Sequence, residues 1–155
     1  MSKPKASQAF ADPTRGGPMF GPRFVVSLVF VVAGLAWVAY YYLAVRVDPT
    51  QVPAPKPGGP KFIADLVRWN YLIGFGLALV GLTLSSHPST PLGRGRGVVI
   101  SMLTCFLLGL LWICAYYVFS NDLSGIPVMN DLVQWNLVLG IGLMAVGFTF
   151  ATRWE

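Results

Sequence analysis

Two carboxylates hold matching places in this chain. Asp65 and Asp131 each stand four residues before a tryptophan, Trp69 and Trp135, that opens a long apolar run. Carboxylates that met could share a proton and serve as an acid and base pair. Nothing in their spacing requires a meeting, and a carboxylate in a first helical turn already suits the positive end of the helix dipole. Capping is therefore the expected role of both. His87, the sole histidine, sits in a polar loop without a ligand cluster and is expected to be solvated. Cys105 and Cys114 are nine residues apart, which at about 100° per residue sets them on opposite faces of one helix. They read as structural thiols or, alternatively, as a site for an intermolecular crosslink. Phosphate loops, metal-ligand spacings, nucleophile elbows and haem motifs do not occur, so no catalytic, cofactor-binding or metal-binding residue is assigned and the chain reads as non-enzymatic.

The elements that carry these residues are written twice. Aligned without a gap at an offset of 66, the segments from Asp65 to Thr83 and from Asp131 to Thr149 share eleven of nineteen positions. Trp69/Trp135, Asn70/Asn136, Gly74/Gly140, Gly76/Gly142 and Gly81/Gly147 are among them. An earlier match, at an offset of 75, sets Gly34-Leu35-Ala36-Trp37 against Gly109-Leu110-Leu111-Trp112 and Tyr41-Tyr42 against Tyr116-Tyr117. The unit is a pair of apolar segments, duplicated.

With 55% hydrophobic and 11% charged residues and a mean hydropathy of +0.63, too little polar surface remains to cover a soluble domain of 155 residues. Four stretches lack Asp, Glu, Lys and Arg: Phe24 to Val45, Trp69 to Ser86, Val98 to Ser120 and Trp135 to Thr152, of 22, 18, 23 and 18 residues. As helices they are roughly 27 to 35 Å long, near the ~30 Å of a bilayer core. The expected fold is an all-α integral membrane protein with four transmembrane helices, built as two parallel two-helix repeats. The first run is too long for the core of a cleaved signal, and Tyr40 to Val45 offers no small-residue cleavage site.

Basic residues are retained on the cytoplasmic side during insertion. The tail, the middle loop and the end carry Lys3, Lys5, Arg15, Arg23, Arg94, Arg96 and Arg153, seven in all, against four on the other side, Arg46, Lys56, Lys61 and Arg68. Both termini are therefore expected in the cytoplasm, and the net charge of +5 reads as a topology signal with attraction to membrane lipids. Nucleic acid is not needed to explain it. Residues 1–22, rich in Pro and Gly, read as a flexible basic tail, 23–87 as the first repeat, 88–97 as a cytoplasmic linker and 98–155 as the second repeat.

Gly74 with Gly81, and Gly140 with Gly147, lie seven apart and line one stripe of each helix. Gly34 and Gly109 recur in the partner segments. Such stripes let helices approach closely in lipid, either within the bundle or against another membrane protein. Asn70 and Asn136 are expected to form interhelical hydrogen bonds or to contact a partner, since an amide facing lipid is costly. Trp37, Trp69, Trp112, Trp135 and Trp154 read as anchors at the membrane interfaces.

Trp69-Asn70-Tyr71, its echo Trp135-Asn136-Leu137, the Gly-x-Gly-Leu that follows each, and the ending Thr152-Arg153-Trp154 resemble the CrgA family of actinobacterial cell-division membrane proteins. A usual member has a basic cytoplasmic tail, two spans, a Trp-Asn-Tyr opening the second span and an Arg-Trp ending. This chain resembles two such copies in tandem over about residues 20–155; four spans and the first copy's ending at Ser85-Ser86-His87 depart from the pattern. The resemblance implies a non-enzymatic scaffold at the division septum that contacts FtsZ on the cytoplasmic side and septal peptidoglycan synthases of the FtsI type. Lys3, Lys5, Arg15 and Arg23 would then make the cytoplasmic contacts. If single-copy members pair, the resemblance implies that one chain holds both halves, with homo-oligomerisation as the further alternative. The alternatives are a small four-helix transporter or channel, disfavoured because the spans carry no charge, and a lipid-binding membrane-stress protein.

Overall fold

The structure, a computed structural model, describes residues 20–47, 52–53, 56–123 and 125–152. Lys3, Lys5, Arg15, Arg153 and Trp154 lie outside the described residues. Every regular element among the described residues is helical. α1 runs Pro22–Tyr40 and continues without interruption as a π-helical turn, Tyr41–Val45. Pro22 suits its first turn, where a missing N–H leaves no bond unmade. α4 is Arg96–Val118. These two, of 24 and 23 residues, are long and apolar enough to cross a membrane by length and composition.

The remaining apolar runs are the shorter two, as their 18-residue lengths in the sequence led one to expect. α3 (Trp69–Ser85) and α6 (Trp135–Ala151) have 17 residues each, about 25 Å. Each is preceded by a separate short helix, α2 (Lys61–Leu66) and α5 (Met129–Leu132). The chain breaks between them at Val67 and Val133, which occupy equivalent places and both take positive φ, 41° and 48°. A β-branched residue there is unfavourable by about 1–3 kcal/mol, so the same unfavourable backbone is present in both repeats.

α1 packs antiparallel on α3, and α4 on α6. The glycines explain how closely. A Cβ on Gly34 would lie 2.3 Å from the Gly74 carbonyl oxygen and 2.7 Å from the Ala78 nitrogen, so the two backbones touch. In the second hairpin a Cβ on Gly109 would lie 2.6 Å from the Gly140 oxygen. Further along, Gly81 faces the Ser27 oxygen at 2.7 Å and Gly147 faces the Phe106 ring at 2.9 Å, measured from the same added atom. Two apolar clusters then join the hairpins. Val38, Tyr41, Val45, Ile63 and Tyr71 meet Leu132 and Leu139 at one end. Val98, Cys105, Val146 and Phe150, with Leu79, Leu82, Leu92 and Met102 against them, fill the other.

Residues 86–95 form a compact turn between the hairpins, so the linker expected at 88–97 gives its last two residues to α4. Thr90, fully buried, donates its hydroxyl to the carbonyls of Ser85 and His87 and accepts from the Gly93 N–H.

Gly34→Ala is expected to lower stability by about 1–3 kcal/mol, the cost of overpacking a tight contact. Gly76→Ala, whose added methyl meets nothing within 4 Å, is expected to leave stability unchanged or slightly raised. Thermal unfolding of both variants in detergent checks the contrast.

Candidate functional site

The break before each apolar helix is held by backbone bonds, from Asn70 N–H to the Val67 carbonyl and from Asn136 N–H to that of Val133. Asn70 and Asn136 occupy the first turn of α3 and α6, and their side chains add further bonds across it. The Asn70 amide donates to the carbonyls of Ile63 at 2.7 Å and Val67 at 3.1 Å. The Asn136 amide donates to those of Met129 and Val133, both at 2.8 Å. Both side chains are fully buried. Instead of reaching the other long helix of its hairpin or a partner's surface, each asparagine clasps the bend in its own strand of chain.

The bend delivers Asp131 to the first hairpin. Arg46, just past the π turn, bonds it through Nε to Oδ2 at 2.5 Å and Nη2 to Oδ1 at 2.9 Å. The Tyr71 hydroxyl donates to Oδ2 at 2.6 Å. The Arg46 and Asp131 side chains are 17% and 19% exposed, so the pair is largely shielded. Its hydrogen bond to Asp131 raises Arg46 above the ordinary arginine pKa, against the lowering effect of burial. Arg46 also lies 5.1 Å from the Tyr42 ring centre, and Tyr71 meets Tyr41 edge to face at 5.1 Å. Asp131 stands in the first turn of α5, as expected of a carboxylate at the positive end of a helix dipole, and adds this ion pair to that role; Asp65 departs from the expectation, since it falls in the last turn of α2. Asp65 is exposed on α2, and the two carboxylates form no acid and base pair.

The tryptophans divide. Trp69 and Trp135 are 61% and 46% exposed, as interface anchors would be. Trp37 and Trp112 instead pack half-buried against the cluster that joins the hairpins. Trp112 meets Phe75 of the first hairpin at 6.3 Å, and both indole N–H groups are buried without a hydrogen-bond partner among the described residues. This pair therefore contributes to packing at the cluster that joins the repeats. The glycines Gly34, Gly74, Gly81, Gly109, Gly140 and Gly147 face inward at the two crossings. Arg23, exposed at the start of α1, places its guanidinium 2.9 Å from Nε2 of His87, which also bonds Ser89 and so is less solvated than expected. Cys105 is buried and Cys114 exposed, both free.

Arg46 and Tyr71 were not singled out by sequence reasoning. The signal was their failure to repeat: at the same offsets the second unit has Asn121 and Leu137, whereas both aspartates recur. The arrangement is chemically a clamp. Among the described residues no cluster of His, Cys, Asp or Glu could hold a metal.

The family model for "Cell division protein CrgA" matches the chain twice, over residues 4–87 and again over 90–155. A Streptomyces avermitilis protein of that description is 39% identical over 64 residues, 41% of this chain and 71% of the relative. One from Corynebacterium glutamicum is 43% identical over 61 residues, 39% of this chain and 54% of its own length. Another, from Corynebacterium aurimucosum, is 32% identical over 85 residues, 52% and 90% of the two chains. No solved structure matches. The two family matches meet in the turn between the hairpins, as a tandem duplication requires.

Asp131→Ala is expected to cost about 2–4 kcal/mol, because it strands a shielded guanidinium, whereas Asp65→Ala is expected to change stability by less than about 0.5 kcal/mol. Denaturant titration of the full chain measures both. Partial recovery in the exchanged variant Arg46→Asp with Asp131→Arg would confirm that the two interact directly.

Proposed function

The chain belongs to the CrgA family of cell division proteins, carried as two copies in one polypeptide, and we propose that it is a membrane scaffold of the division septum with four spans and both termini in the cytoplasm. The observation that carries the reading is the family match over both hairpins. The family is named for cell division and not for a reaction, in keeping with a non-enzymatic role.

Two helices of spanning length and two shorter apolar ones, paired as antiparallel hairpins, support four crossings, with α3 and α6 reaching across by means of the bends before them. The excess of basic residues in the tail, middle turn and end supports the orientation. The division into 1–22, 23–87, 88–97 and 98–155 follows the same turn. On the cytoplasmic side the tail, through Lys3, Lys5, Arg15 and Arg23, meets FtsZ-ring components. Within or beyond the membrane the helices meet a septal synthase of the FtsI type, and the scaffold couples the two.

The second repeat does not duplicate the first at their interface. Arg46, Tyr71, Phe75 and Leu79 reach from the first hairpin, where Asn121, Leu137, Ile141 and Ala145 stand in the second. Specialised surfaces of this kind favour pairing within the chain over self-association between chains.

A fluorescent fusion at the N-terminus, expressed at native level beside a septum marker, is expected to form a band at the septum. Even distribution around the membrane through the cell cycle would overturn the reading. Removal of residues 1–18 is expected to abolish co-purification of the cytoplasmic partner while leaving membrane insertion intact.

A further inference from the structure

Between α3 and α6 lies an open apolar groove of about 230 Å³. Its walls are Phe75, Leu79, Val138 and Leu139, Gly76 forms part of its floor, and Trp69, Trp135 and Arg68 stand at its mouth. It exists because the repeats diverged. Leu79 of the first hairpin fills the space over Gly142, at 2.9 Å from an added Cβ, whereas Leu79 is replaced by Ala145 in the second repeat and a Cβ on Gly76, the equivalent of Gly142, meets nothing within 4 Å. The cation at the mouth is also unrepeated, since the equivalent of Arg68 is Gln134. Arg68 is exposed, has no carboxylate partner among the described residues, and holds the N-cap position of α3, where the helix dipole is positive.

We infer that this groove binds one anionic phospholipid, with an acyl chain along the apolar walls and the phosphate against Arg68. The lining is apolar apart from Arg68, which suits a hydrocarbon chain with one anionic group at its end. Tryptophans at the mouth match the boundary between acyl chains and head groups, and the positive charge selects an anionic head group over a zwitterionic one. The inference rests on α3 and α6 being membrane spans, not on any division partner.

The test is native mass spectrometry of the full chain released from phosphatidylcholine bilayers containing phosphatidylglycerol. One phosphatidylglycerol is expected to stay bound in preference to phosphatidylcholine. Arg68→Gln is expected to weaken that binding about fivefold, the worth of one basic residue at an anionic surface, and to remove the preference. Gly76→Leu, which fills the groove, is expected to abolish binding, with the thermal midpoints of both variants near that of the parent. Insertion without a preference for phosphatidylglycerol, or binding indifferent to either substitution, overturns the inference alone. Failure to insert overturns the span reading and the inference with it.

Discussion

Backbone contact at two glycine crossings is the constraint from which the rest of this molecule follows. In lipid, apolar side chains gain little by leaving their solvent, so helices associate through packing and through the polar groups they satisfy. At Gly34 and Gly74, and at Gly109 and Gly140, the two backbones come into contact, and the side chains of Val38 and Ile113 seat over Gly74 and Gly140. Two antiparallel hairpins result, each with one long helix and one shorter partner. The shorter helix cannot simply be lengthened at its head, because the chain there turns to form the bend.

That bend carries an internal cost and its own compensation. A valine at positive φ is unfavourable by about 1–3 kcal/mol. Two hydrogen bonds from a buried asparagine return about 1 kcal/mol each, while the amide oxygen of each, buried without a partner among the described residues, offsets part of that gain. The same valine and the same asparagine hold both bends, which places the bend among the features that the duplication retained. Its product is positional: a short helix turned away from the axis of its successor, with a carboxylate on it. In the second hairpin that carboxylate finds Arg46 and Tyr71; in the first it finds solvent.

The hairpins, their pairing and the inward glycines were legible in the sequence because they rest on local signals: apolar length, small-residue spacing, and a repeat that shows itself by alignment. The bends were not. Valine favours extended backbone and gives no hint of positive φ, and Asn70 reads equally well as a bond donor to a neighbouring helix. Arg46 and Asp131 are separated by 85 residues, and each alone has an ordinary surface explanation. Only comparison of the repeats with each other exposes them, since Arg46 faces Asn121 and Tyr71 faces Leu137 across the alignment while the aspartates persist. The packing of Trp37 and Trp112 against the shared cluster was hidden for a related reason: an indole near the end of a span looks the same in sequence whether or not a second hairpin lies against it.

Covalent fusion explains why this asymmetry is tolerable. Two separate copies meeting across a two-fold axis would make every contact twice, and a change that weakens one weakens both. Joined by a short turn, the same surfaces meet at an effective concentration of the order of millimolar, so one clamp suffices where two were needed. Selection on the second set then relaxes. Asp65 persists without Arg46 or Tyr71 opposite it, Leu79 closes one side of the interface, and Ala145 leaves the other side open. A symmetric pair offers a partner the same face twice, and symmetry forbids a feature that occurs only once. The fused pair has two such features, a shielded ion pair on one side and an arginine-flanked groove on the other. It therefore presents two unlike faces, which no symmetric pair of identical copies could do.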